Sequence, residues 1–454
     1  MTDPIFWIVC LVLLALLAFV LFALRSSAPP PEADKPPPQQ QQQQQQQAAP
    51  PPAAAAPFGA PAPLPAEPEA ASPDDGDGRP SKTVKWFNHG FGMPFDEDAG
   101  DPFEMALPES EDYWVQRIFF GTDRNVTAIT GTGPGFGTDR AGHLTVGATD
   151  ITIPKEAHRL GHMERPREFT LFKITLWRED EDPAKHFTIH RTEILEPDDF
   201  TALAAEAAHA ARNYDDTAFL YIHGFNTTFQ TAMYRAAQLA HDLGFDGPAF
   251  AYSWPSTGGV ASYVADMDAA RGAVTHLDAF LDLVLTTPGI DKLHVVAHSM
   301  GNAALAELVT RAGTKLSART DKVIDQLILA APDVDAEVFK GIAQHFTRHA
   351  KGVTLYACAS DLALMASETI RGGHPRAGDV PATGPVVVPD IDTIDVTAVG
   401  TELFSLNHNT YAHDRGLLDD LGNLFLSGLR PPRRRMPTLK ERSSAAGIWW
   451  EMPG

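Results

Sequence analysis

Between Phe200 and about residue 400 one pattern recurs, and it narrows the possible folds more than any other feature. A short apolar run ends in a small-residue turn, and a helical stretch follows. Phe219–Ile222, Ala249–Trp254, Leu293–Ala297, Gln326–Ala331, Val353–Ala357 and Ile394–Val399 read as strands. Thr201–Arg212, Thr228–Leu243, Ala265–Leu285 and Asn302–Ala312 read as the helices between them. Strands that are apolar along their whole length need cover on both faces, and intervening helices supply it. The expectation is an α/β chain with a mostly parallel sheet and helices on both faces. Ligands of such sheets bind beyond the carboxyl ends of the strands, so the turns that follow the strands are where chemistry is expected.

Upstream, Val115–Phe120, Leu144–Ile153 and Phe169–Trp177 alternate well enough to be strands. The segment Phe-Gly-Thr-Asp-Arg occurs twice, at 120–124 and 136–140. Two short copies are too few for a solenoid.

The first fifth of the chain differs in kind. Residues 5–24 carry no charge or strongly polar group, a length suited to a transmembrane helix. A basic n-region is missing and the apolar run is long, which favours a retained anchor over a cleaved signal peptide. Asp3 precedes the span and Arg25 and Lys35 follow it, a weak lean towards a cytoplasmic catalytic domain. Residues 26–80 hold Pro29-Pro30-Pro31, Pro36-Pro37-Pro38 and the glutamine run 39–47. Such composition cannot bury enough apolar surface to offset ordering entropy, so a disordered tether is expected. Residues 81–112 read as acidic and irregular, 113–429 as the folded domain, and 430–454 as a basic tail. That tail could touch anionic lipid or simply be solvated. Trp449-Trp450 could bind the membrane interface or pack back on the domain.

The net charge of −22 argues against nucleic acid as a partner. Two cysteines, Cys10 and Cys358, exclude a disulfide framework. No metal-ligand spacing and no phosphate loop are present, so neither metal nor cofactor is expected.

Ala297-His298-Ser299-Met300-Gly301 follows a predicted strand and precedes a predicted helix. That is the setting of a nucleophile elbow, G-x-S-x-G, in which the flanking positions must be small. Ala297 replaces the first glycine, a mild departure. The alternative is a tight βα turn with a capping serine. His298 is expected to pack away from the site. His223-Gly224-Phe225-Asn226 closes the strand Phe219–Ile222, where an H-G-x segment supplies an oxyanion donor. The candidate donors are the N–H groups of Phe225 and Met300. The acid should follow the serine in the chain and the histidine should come last. Asp361, after Val353–Ala357, is the favoured acid, with Asp333 its rival. His408 is the favoured base, with His413 its competitor. In this arrangement His408 takes the Ser299 proton and Asp361 holds its tautomer.

Taken together these motifs resemble the bacterial α/β-hydrolases of the domain-of-unknown-function 900 family, often described as esterase/lipase superfamily enzymes. The resemblance runs from about Phe119 to Leu421. It includes Phe120–Arg124, Ile153-Pro154 with His158-Arg159-Leu160-Gly161, Ile222–Asn226, Tyr252–Ser256, His298–Gly301, Ser360–Leu364 and Gly372-Gly373 with Arg376–Asp379. It implies an α/β-hydrolase fold and a Ser299, Asp361, His408 triad. The expected activity is hydrolysis of a carboxylic ester, with thioester or amide possible, on a small-molecule or lipid-like substrate. The expected location is a single-pass protein of a bacterial inner membrane. An inactive scaffold that keeps the fold for binding is the competing reading.

Overall fold

The computed structural model describes residues 107–108, 110–171, 174–257, 262–359, 373–400, 414–432 and 439–453. The expected membrane span 5–24, the linker 26–80 and the segment 81–106 lie outside the described residues. Among those described, no helix is long and apolar enough to cross a membrane.

In chain order the elements begin with β1 (Tyr113–Thr130), β2 (Gly133–Pro154), β3 (Glu168–Leu171), β4 (Ile174–Arg178), β5 (Thr188–Ile194) and α1 (Pro197–Ala210). The middle comprises β6 (Thr217–Ile222), α2 (Phe229–Asp242), β7 (Ala249–Ser253), α3 (Tyr263–Gly272), α4 (Val274–Thr286), β8 (Lys292–His298) and α5 (Gly301–Thr310). Then follow α6 (Lys315–Ala318), β9 (Ile324–Ala330), α7 (Ala336–His349), β10 (Ala350–Ala357), β11 (Asp392–Asp395), α8 (Asp414–Ser427), β12 (Lys440–Ser444) and β13 (Gly447–Glu451).

Eleven of these strands form one sheet in the order β12-β13-β11-β10-β9-β8-β6-β7-β1-β2-β5. Every pairing from β13 through β1 is parallel, whereas β2 and β12 run antiparallel to their neighbours. β3 and β4 pair separately.

Period-2 alternation divides the sheet into two apolar faces. Ala218, Leu220, Ile222, Val295, Ala297, Leu327 and Leu329 face one core with α1, α3, α4, α5 and α7. Phe219, Tyr221, Val296, Ile328, Ala330 and Tyr356 face the other with α2 and α8. Helices therefore cover both faces, as the uninterrupted apolar runs required. The strand order reverses between β6 and β8, which are neighbours in register Ile222↔Ala297. A switch of this kind opens a crevice at the carboxyl ends, and both the H-G turn and the serine turn leave the sheet there.

Several expected boundaries are corrected. The helix expected over Ala265–Leu285 is two helices, α3 and α4, which meet at Ala273. Phe169–Trp177 is not one strand but the two antiparallel strands β3 and β4. Strand β11 stops at Asp395, and Val396–Gly400 turns, with Val399 N–H donating to Val396 O at 2.9 Å. The segment expected as a tail after residue 429 contributes β12 and β13, the latter paired with β11 through Ile394↔Trp450. Trp450 packs on the core, so the second alternative for the tryptophan pair is the one realised for it. Arg430 is likewise engaged, with Asp392 and with the carbonyl of Val353. The arginines 433–435 lie outside the described residues.

Candidate active site

Ser299 occupies the first position beyond β8 with φ of +49°, in the left-handed region that a non-glycine residue adopts only under constraint. The constraints are visible. Ser299 N–H donates to Ala330 O at 2.9 Å, which pins the turn to the end of β9. Its carbonyl accepts from Asn302 N–H at 3.1 Å and Asp333 N–H at 3.1 Å. The Asn302 side chain donates to Ala297 O at 2.9 Å and again to Ser299 O at 3.2 Å. A side chain at Gly301 is excluded, since its Cβ would lie 2.5 Å from His223 O. The small residues of the motif are thus demanded by contact between the serine turn and the end of β6. Helix α5 starts at once after the turn, so its free N–H groups and dipole favour negative charge beside Ser299.

The H-G loop is the immediate neighbour. A Cβ on Gly224 would meet the Ser299 Cβ at 3.0 Å and His298 Nδ1 at 2.7 Å. Asn226, with φ of +56°, bends the chain into α2, whose N-cap Thr228 accepts from Thr231 N–H. His223 is fully buried and stacks on Trp254 at a ring separation of 4.8 Å. The Trp254 indole donates to His223 O at 2.8 Å. Burial, reinforced by the nearby Arg124 charge, pulls the His223 imidazole down to about 3. It is therefore neutral at working pH and its task is structural.

Arg124, from the first Phe-Gly-Thr-Asp-Arg copy, lies under this loop and is 1% exposed. Its Nε donates to Ser253 Oγ at 2.9 Å and its Nη2 to Thr227 O at 2.7 Å. Its Nη1 donates to Gly137 O at 2.9 Å and Ser256 O at 3.2 Å. Burial pulls this guanidinium down to about 10, opposed by the charges of Asp123 and Asp266, so it stays cationic near neutrality. Asp266 adds a second anchor: it accepts from Ser256 Oγ at 2.7 Å, and Ser256 Oγ accepts from Thr227 N–H at 3.3 Å.

Asp333 is brought next to the serine turn, but its carboxylate is engaged elsewhere. Oδ2 accepts from the Tyr263 hydroxyl at 2.6 Å and Oδ1 from Arg376 Nε at 2.8 Å. Tyr263 in turn packs edge-on against Phe225 with ring centroids 5.6 Å apart. Asp361, His408 and His413 lie outside the described residues; the structure places Ser299, Phe225, Met300 and Asp333 together.

Sequence reading missed Arg124, Tyr263, Asp266 and Arg376. The Phe-Gly-Thr-Asp-Arg repeat was the available signal for Arg124. Arg376 stands in a motif that carried the family resemblance, and nothing local marks Tyr263 or Asp266.

Two other features are separate from this site. A cleft of about 810 Å³ opens at the amino ends of β8 to β11, lined by Lys292, Asp325, Gln326, Lys351 and Arg430 among others. It lies at the opposite end of the strands from Ser299. Donor atoms of His158, His241 and Asp242 lie within 4.8 Å of one another, a spacing that could hold a metal ion. Both His158 nitrogens are already bonded to carboxylates, Nδ1 to Glu164 at 2.9 Å and Nε2 to Asp242 at 2.7 Å. The group is accordingly a hydrogen-bonded clasp.

The mostly parallel sheet with helices on both faces is an α/β-hydrolase fold. Residues 201–423 match the sequence model of the family described as alpha/beta hydrolase of unknown function (DUF900), and that segment is a domain of this family. No curated protein matches the chain. Among solved structures, a protein assigned as a cell surface hydrolase of Lactobacillus plantarum is similar at 13% identity and a TM-score of 0.28. The alignment covers 49% of this chain and 95% of that one. An esterase of the archaeon Pyrobaculum calidifontis is similar at 10% identity and a TM-score of 0.28, over 69% of this chain and 86% of that one. A further structure of the esterase from that organism gives 11% identity and a TM-score of 0.24, over 51% and 91%.

Proposed function

We propose that the protein is a serine hydrolase of carboxylic esters that works through an acyl-enzyme on Ser299. The observation that carries the reading is the strained turn at Ser299, held against the H-G loop at the carboxyl end of the sheet. Strain at a non-glycine residue persists only where surrounding contacts enforce it, and a serine on such a strand-to-helix turn is the setting of a nucleophile. The Phe225 and Met300 N–H groups are the proposed oxyanion donors. The two peptide units that carry them share a property: their carbonyls are fixed from behind. The Ser299 carbonyl, which shares a peptide plane with Met300 N–H, accepts from Asn302 and Asp333. The Gly224 carbonyl, in the plane of Phe225 N–H, is 2.8 Å from His223 Nδ1. Donors fixed in this way need no reorganisation as charge develops on the substrate oxygen.

For the acid we propose Asp361 over Asp333, because both Asp333 oxygens are taken up by Tyr263 and Arg376. For the base we propose His408, with His413 the alternative. In the reaction His408 removes the Ser299 proton as Oγ attacks the ester carbonyl. The alcohol leaves with a proton from the imidazolium, and water then repeats the sequence to release the acid. We also propose residues 5–24 as a membrane anchor, which would bring the domain close to lipid-like esters.

The test is a panel of p-nitrophenyl esters, from short to long acyl chains, offered to the full chain in mild detergent. Turnover of at least one ester is expected, with a loss of about 10³-fold or more in Ser299→Ala. Absence of turnover across the panel, or an unaffected alanine variant, contradicts the reading and favours a binding scaffold.

A further inference from the structure

The first Phe-Gly-Thr-Asp-Arg copy does more than fill space. Among the described residues its arginine is buried without a carboxylate in hydrogen-bond contact, and its donors go to Thr227 O, Gly137 O, Ser256 O and Ser253 Oγ. Burying a guanidinium is costly unless its donors are met, and here neutral acceptors meet them.

The hydrogen bonds have a direction. Arg124 Nε donates to Ser253 Oγ, so that hydroxyl is free to donate onward to His223 Nε2 at 3.3 Å. Arg124 Nη2 also faces His223 Nε2, at 3.5 Å. Nε2 is also 3.2 Å from Trp254 O, so two carbonyls compete for the one proton of the neutral ring. The shorter contact, at Nδ1, together with the two donors that face Nε2, assigns the proton to Nδ1. Nδ1–H then donates to Gly224 O at 2.8 Å. That carbonyl belongs to the same peptide unit as Phe225 N–H. Because the peptide is planar, fixing its C=O fixes the opposite direction of its N–H. Aligned donors also polarise one another along the chain.

We propose that Arg124 and His223 are positioning residues which aim and polarise the Gly224–Phe225 peptide, so that Phe225 N–H meets the substrate oxyanion. The inference rests on the serine-hydrolase reading above and assigns the part of that site which no motif names. Arg124 also holds Thr227 O, so the loop is pinned on both sides of Phe225. Lysine cannot reproduce this, since one ammonium has three donors and no planar fork.

The experiment uses the full chain with a p-nitrophenyl ester and compares wild type, Arg124→Lys and Ser253→Ala. Fluorophosphonate labelling stoichiometry counts competent sites in each preparation, and a trifluoromethyl ketone reports on oxyanion binding. Removing one oxyanion donor costs roughly 10²–10³ in kcat; misaiming it is expected to cost about 10- to 100-fold in Arg124→Lys. Ser253→Ala, which deletes only the relay hydroxyl, is expected to lose about 3- to 10-fold. KM should stay within about threefold of wild type, and affinity for the ketone should fall in parallel with kcat/KM.

If both variants label fully and keep kcat within twofold, or if only KM and thermal stability change, the inference is overturned. Should Arg124→Lys fail to fold, Ser253→Ala decides by the same criteria. A wild type that neither turns over ester nor takes up fluorophosphonate overturns the serine-hydrolase reading and this inference with it. A reactive wild type with indifferent variants overturns the inference alone.

Discussion

Helix α2 is held at its two ends by two different cations, Arg124 from β1 and His158 from the segment after β2. At the amino end, Arg124 grips Thr227 O, one residue before the N-cap Thr228. At the carboxyl end, His158 lies between Glu164 and Asp242, the last residue of the helix. Asp242 also accepts from Gly161 N–H at 2.7 Å. The acceptors make the difference. Arg124 meets carbonyls and a hydroxyl, whereas His158 meets two carboxylates. Burial alone would pull His158 down, but its hydrogen bonds to Asp242 and Glu164 outweigh that and raise it to about 9. The end of the helix next to the H-G loop is therefore fixed by a charge that does not titrate near neutrality. The far end is held by a histidine, whose charge is lost as pH rises through about 9.

The largest effect is expected at the Arg124 end. Arg124→Met leaves several buried carbonyls without donors, at about 1–3 kcal/mol each, so urea unfolding should show a loss of about 3–5 kcal/mol. That loss should be the same at pH 6 and pH 8.5. A loss below about 1 kcal/mol would mean that the carbonyls find other partners, and the contrast between the ends would collapse.

The His158 end should respond less and should depend on pH. Its folded-state value is raised above the unfolded value of about 6.5. The contribution is therefore fully present below pH 6.5, declines as pH rises, and is gone above about 9. His158→Ala should cost about 1.5–3 kcal/mol at pH 6, as for hydrogen bonds between charged groups, and much less at pH 9.5. A cost that does not shrink with pH would remove the distinction between the two ends.

The smallest effect sharpens the comparison by its absence. The second Phe-Gly-Thr-Asp-Arg copy lies on β2 opposite the first, with Arg124 paired in register to Arg140. Yet Thr138, Asp139 and Arg140 are exposed, while Thr122, Asp123 and Arg124 are buried. Arg140→Ala should change stability by no more than about 0.5 kcal/mol and leave ester turnover intact. Identical residues acquire a role only where the chain buries them.

That pair also marks how far the sequence could be read. Strands β6 to β10 were legible because full burial on both faces leaves a continuous apolar run, as in Thr217–Ile222, where every residue is buried. The serine turn was legible because its contacts demand small residues at fixed spacing. Strand β12, Lys-Glu-Arg-Ser-Ser, is exposed along its length, so no alternation announced it. Helix α7 did carry a signal that went unread: Asp335 caps it, and Phe339, Ala343 and Phe346 recur at helical spacing on its buried side. The Tyr263–Asp333–Arg376 cluster joins residues 70 and 43 positions apart. Such contacts are fixed by tertiary packing, and no local pattern encodes them.

The central claim is that Ser299 is the nucleophile, and fluorophosphonate labelling with peptide mapping tests it most directly. One adduct per chain is expected, on the peptide that contains Ser299, and none in Ser299→Ala. An unlabelled wild type, or an adduct that persists at another residue in the alanine variant, would contradict it.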